Sequence, residues 1–130
     1  MDILLDTCTF LWWATGDPLV PRSTVDLLTD PANRVHLSAA SAWEIALKHA
    51  IGRLRLRRPP DVFVPLERER HGIAALAIDE ADVLHTTKLP AIHRDPFDRI
   101  LVAQALLRGW PIATPDPALR AYPCRTIWPP

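Results

Sequence analysis

The sequence predicts an α/β fold: a mainly parallel central sheet of four to five strands, covered by helices on both faces. Three observations lead there. Short apolar runs of the kind that form buried strands recur along the chain, and helical segments with their own stop signals alternate with them. A chain of 130 residues with 48% hydrophobic content can also build one core without staples, so a single domain over residues 1–130 is expected.

The elements follow in order. Ile3, Leu4 and Leu5 form an apolar run ending at Asp6, and residues 7–14 read as a helix stopped by Gly16, Asp17 and Pro18. Residues 21–29 give a second helix closed by Asp30-Pro31, and residues 34–38 a second strand. Residues 39–51 are strongly helical, with Gly52 placed just past the end. Residues 53–60 alternate arginine and leucine and then reach two prolines, which suits a basic connection or a short hairpin. A helix over 61–70, a strand over 73–78 and a short helix over 79–87 come next, and a loop runs from Leu89-Pro90 through His93. The clearest start signal is Asp95 as N-cap with Pro96 at the first helical position, opening a helix that extends to Gly109. Residues 112–114 form a fourth strand, 117–121 a helical turn and 125–128 a final edge strand.

Composition bounds the function. Basic and acidic residues balance at 15 each, so net charge does not point to nucleic acid, and any RNA affinity must come from uneven distribution. Thirteen of the basic residues are arginines, a bias that fits phosphate recognition or a GC-rich genome. Cys8 and Cys124 do not form a disulfide framework, and no stretch approaches the ~18 apolar residues of a membrane span. A cytoplasmic protein with no membrane association is expected.

Right-handed crossovers place the functional crevice of such a sheet outside the carboxyl ends of its strands. Four acids fall there: Asp6 after the first strand, Asp116 after the fourth, and Glu44 and Asp98 in the early turns of helices that begin near that edge. Each has a structural reading. Asp6 and Asp116 can cap helices, Glu44 can pair with Lys48 at i+4 for about 0.3–0.5 kcal/mol, and Asp98 can close a capping box. Glu44, however, shares a helical stripe with Ala40, Leu47 and Ile51, which turns its carboxylate inward or into a cleft, and Asp98 heads the apolar stripe of Leu101, Val102 and Ala105. Gathered together, four carboxylates are tolerable only around a cation, and hard oxygen ligands suit Mg²⁺ or Mn²⁺ in phosphodiester hydrolysis. Thr7 and Thr114, beside two of the acids, can bond to a ligand carboxylate or a bound water, although capping suffices for Thr7. Arg99 can meet a phosphate or support Asp98 as an ion pair. Arg53, Arg55, Arg57 and Arg58 can track an RNA backbone or line a solvated strand.

The segments LLDT (4–7), SAWEIALKHAIGRL (41–54), HRDPFDRILVAQA (93–105) and TPDPALRAY (114–122) resemble the PIN-domain ribonucleases, specifically the VapC-type toxins of bacterial toxin–antitoxin pairs. The resemblance implies a three-layer α/β/α sandwich and a Mg²⁺- or Mn²⁺-dependent endoribonuclease with Asp6, Glu44, Asp98 and Asp116 as catalytic acids. It further implies a homodimer and a cognate antitoxin whose carboxyl-terminal arm occupies the RNA groove. Many relatives carry histidine where this chain has Cys8.

Competing readings are a Cys8 nucleophile with His49 or His93 as base, a phosphoacceptor receiver domain, and a catalytically silent module that binds RNA or protein. A receiver wants paired acids after the first strand and a lysine after the last strands, and this chain has neither. The five histidines lack zinc-ligand spacing. Trp12, Trp13 and Trp43, placed on helices, read as core or dimer contacts.

Overall fold

The computed structural model describes residues 1–92 and 94–129. The chain runs β1 (Asp2–Leu5), α1 (Thr7–Ala14), α2 (Arg22–Thr29), β2 (Arg34–Ser38), α3 (Ala39–Ala50), α4 (Pro60–Arg70), β3 (Ala74–Leu76), α5 (Glu80–His85), a 3₁₀ turn (Thr86–Lys88), α6 (Pro96–Arg108), β4 (Ile112–Ala113), α7 (Pro117–Arg120) and β5 (Thr126–Ile127). The five strands form one sheet in the order β3-β2-β1-β4-β5, and every pairing is parallel. The order reverses at β1, so the crevice between β1 and β4 is the switch point where such sheets place ligands.

Strand periodicity sorts the core. Ile3 and Leu5 join Phe10, Trp13, Val35, Leu37, Ile45 and Phe63 on one face, while Leu4 joins Ala40, Leu101, Val102, Ala105, Ile112 and Leu119 on the other. Successive side chains on β1 point to opposite faces, so three consecutive apolar residues serve two cores. Both faces being covered explains why the strands read as apolar runs.

Several boundaries differ from expectation. Residues 73–78 shorten to β3 because pairing with β2 extends only from His36 to Ser38. The final edge strand contracts to two residues, paired to the two-residue β4. Residues 53–59 contain no hairpin: Leu54 and Leu56 pack onto the first core while Arg53, Arg55, Arg57 and Arg58 face solvent. The start of α6 matches its signals, with Asp95 Oδ1 accepting from the amides of Phe97 at 2.9 Å and Asp98 at 3.3 Å. Gly109 ends that helix at φ 70°, a left-handed conformation that costs glycine little. No helix among the described residues is long and apolar enough to cross a membrane.

Candidate active site

Asp6 stands at the carboxyl end of β1 and caps α1, its Oδ1 accepting from the Thr9 amide at 2.8 Å. Its Oδ2 accepts a very short hydrogen bond from the Thr114 hydroxyl. That hydroxyl also accepts from the Asp116 amide at 3.0 Å, so Thr114 joins the two acids across the β1–β4 crevice. Asp116 caps α7 through its Oδ1 and the Ala118 amide at 2.9 Å. Capping and convergence are therefore compatible, because each cap occupies one carboxylate oxygen.

Glu44 reaches the same edge from α3. The Thr7 hydroxyl donates to its Oε1 at 2.6 Å and shares a 3.0 Å hydrogen bond with Ser41 Oγ. Lys48 Nζ lies 2.6 Å from the other oxygen, Oε2. Glu44 is buried, as its helical position implied, together with Ala40 one turn earlier. Leu47 and Ile51 instead are exposed by 42% and 64%, because the carboxyl-terminal turns of α3 extend beyond the core. The inward stripe is shorter than expected.

Asp98, half-buried, sits in the first turn of α6. Phe97 beside it meets the Trp43 ring edge-on at 5.0 Å, which packs this turn against the α3 turn that carries Glu44. Arg99 follows Asp98 in the same turn. Its guanidinium donates to Pro90 O at 2.9 Å, Thr86 O at 2.8 Å and the Tyr122 hydroxyl at 3.1 Å, tying the preceding loop to α6. His93 lies outside the described residues.

Electrostatics register the gathering. Burial and the charge of Asp116 push the Asp6 carboxyl above its ordinary value, against the hydrogen bonds from Thr114 and Thr9. Cys8 is an exposed residue, but partial desolvation of its thiol and the negative charges of Asp6, Glu44 and Asp116 push that thiol up to about 11, against the charge of Lys48. A nucleophilic cysteine needs the opposite shift. Among the described residues, no three His, Cys, Asp or Glu side chains stand close enough to hold a metal ion as they are arranged. The acids share an edge but are not closed into a ligand set.

The arginine row lies elsewhere. Arg55, Arg57 and Arg58 line a cleft with Ala14, Thr15, Phe63 and Arg70, beyond the last turn of α1 and thus at the opposite end of that helix from Asp6. Sequence reading missed Ser41 and Thr9, yet both sit three residues from an acid, the spacing that puts side chains on one helix face or joins a cap to its amide.

The architecture defines a class: α/β proteins with a parallel sheet whose strand order reverses at β1. Within that class the chain belongs to the PIN domain family, whose profile matches residues 3–123. It is 36% identical to ribonuclease VapC16 of Mycobacterium tuberculosis over 81 residues, which is 56% of this chain and 57% of that protein's length. It is 26% identical to ribonuclease VapC22 of the same organism over 121 residues, 92% of this chain and 91% of that one. The fold matches a chain in the crystal structure of VapBC2 from Rickettsia felis bound to a DNA fragment from their promoter, with TM-score 0.73, 11% identity and 98% of both chains covered. FitAcB from Neisseria gonorrhoeae matches with TM-score 0.60 and 22% identity over 97% of this chain and 96% of that chain.

Proposed function

We propose that this chain is a Mg²⁺- or Mn²⁺-dependent endoribonuclease, the toxin of a toxin–antitoxin pair, cutting RNA at a site made by Asp6, Glu44, Asp98 and Asp116. The observation that carries this reading is Asp6, a buried carboxylate whose ionised form is disfavoured by burial and by Asp116. Among the described residues no cationic side chain pairs with it. A divalent ion would supply the missing charge, and the all-oxygen donor set suits a hard ion. Those four acids would hold it, and when bound it would activate a water, orient the scissile phosphate and offset charge at the leaving oxygen.

The chain's own residues set the geometry. The Thr9 amide and the Thr114 hydroxyl hold the two oxygens of Asp6, and Thr7 fixes Glu44. Neutral donors orient the Asp6 carboxylate without neutralising it, which leaves its negative charge available to an incoming ion. Arg53, Arg55, Arg57 and Arg58 would give a longer RNA a sequence-independent phosphate contact past the end of α1. The names of the ribonuclease relatives and of the VapBC2 and FitAcB structures support a cognate antitoxin as partner. A homodimer of single-domain chains in the cytoplasm completes the proposal.

A catalytically silent binding module is the second reading, favoured by one observation: the acids are not closed into a ligand set. Incubation of purified protein with RNA separates the two. Cleavage in Mn²⁺ or Mg²⁺ that stops on chelation, is lost in folded Asp6→Asn and Asp98→Asn, and persists in Cys8→Ser supports the enzyme. RNA binding without turnover under both metals supports the module.

A further inference from the structure

We infer that Lys48 is a counter-cation built into this site: its ammonium occupies Glu44 in the metal-free protein and has to leave before a divalent ion can engage that carboxylate. The inference rests on the metal-dependent reading above and deepens it, by assigning to a residue outside the four acids control over metal affinity.

The contact is asymmetric. Glu44 is fixed, its side chain 7% exposed and its Oε1 held by Thr7, whereas the Lys48 side chain is 49% exposed. The acid stays and the cation is free to swing. Lys48 has a four-carbon stem and three rotatable donors, so release into solvent needs only rotamer changes and no backbone movement. Its position one helical turn after Glu44 makes the contact local, formed whenever α3 is formed. Lys48 therefore meets Glu44 as a full positive charge at neutral pH.

Such an arrangement has two effects on a divalent ion. Lys48 competes for Glu44 Oε2, and wherever it remains nearby it repels the ion. Both raise the metal concentration at which the site fills. With Lys48 in place, both oxygens of Glu44 are engaged, by Thr7 and by the ammonium.

The test is direct titration of the full-length chain with Mn²⁺, followed by electron paramagnetic resonance and calorimetry, for wild type, Lys48→Met, Lys48→Arg and Asp6→Asn. Removing one positive charge a few ångströms from a divalent ion at a partly solvated site should tighten Mn²⁺ binding about tenfold in Lys48→Met. Lys48→Arg, which keeps the charge, should bind like wild type. A merely structural role for Lys48 would not produce tighter binding on truncation. If Asp6→Asn loses the wild-type Mn²⁺ site but Lys48→Met binds no tighter than wild type, the inference is wrong and the metal reading stands. If neither wild type nor Lys48→Met binds Mn²⁺, both fall. Should thermal melting show Lys48→Met to be unfolded, Lys48→Gln is judged by the same criteria.

Discussion

Asp6 and Asp82 are equally removed from water, at 4% and 1% exposure, yet they are held in opposite ways. Asp82 receives the Arg108 guanidinium as a fork, Nη1 to Oδ1 at 2.8 Å and Nη2 to Oδ2 at 3.2 Å, along with Gln104 Nε2 at 3.2 Å and the Asp79 amide at 2.9 Å. Burial pushes its carboxyl up, but these donors outweigh burial and leave it below the ordinary value. Asp6 is given only neutral donors, and burial leaves it above that value. Asp82 ties α5 to α6 with its charge already balanced. Asp6 is left with neutral donors alone, which is a poor arrangement for the stability of a buried carboxylate.

The comparison can be broken by removing each partner. Arg108→Met strands the Asp82 carboxylate in the core and should cost about 3–5 kcal/mol in urea unfolding, with RNA cleavage falling only as far as the folded fraction does. A loss below 1 kcal/mol would mean that Asp82 is not held as described. Asp6→Asn should do the reverse: the amide keeps the capping bond, stability holds or rises, and cleavage drops by about 10²–10³-fold or more, comparable to deleting one electrostatic group from an active site. Unchanged turnover would remove Asp6 from the chemistry.

Acid titration sharpens the contrast, because the two shifts have opposite signs. A carboxyl raised on folding contributes stability at pH below its unfolded value, ordinarily 3.8, and that contribution is lost as pH rises through the folded value. Metal-free wild type should therefore lose stability relative to Asp6→Asn as pH climbs from 3.8 upward. Asp82, lowered from 3.8, contributes stability above that pH and loses it as pH falls through its folded value, so wild type should converge on Asp82→Asn in acid. Denaturant titrations from pH 3 to 7, read on the order of half a unit apart, give both signs. Parallel curves for the two variants would contradict the assignment.

The smallest effect belongs to the arginine row. Replacing Arg53, Arg55, Arg57 and Arg58 together by glutamine should leave stability within about 0.5 kcal/mol, since all four are exposed. It should also flatten the salt dependence of RNA binding by about 0.7 in logarithmic slope for each phosphate no longer neutralised. An unaltered slope would show that RNA does not extend past α1.

Much of this molecule was legible from local signals. Asp95 and Pro96 announced α6 and Gly109 closed it, because caps and left-handed turns are chosen within a few residues. The apolar run of Ile3, Leu4 and Leu5 announced a strand buried on both faces. The length of β3 and β5 was not legible, since a strand ends where its neighbour stops pairing. The exposure of Leu47 and Ile51 was missed for a related reason: helical periodicity says which residues share a stripe, but not how far the core beneath that stripe extends. Thr7 showed the limit most clearly. Local capping was reason enough for a threonine there, yet its hydroxyl goes to Glu44, 37 positions along the chain.

Sequence by itself determined the order of the elements, the parallel sheet and the edge at which Asp6, Glu44, Asp98 and Asp116 would appear, because propensity, capping and crossover handedness act over short stretches. Only the tertiary structure decided which acid is balanced and which is not. Arg108 reaches Asp82 across 26 positions, while Thr114 reaches Asp6 across 108. Whether a buried carboxylate meets a guanidinium or a hydroxyl is settled by packing between elements, and that choice separates Asp82, whose charge is balanced, from Asp6, whose donors are neutral.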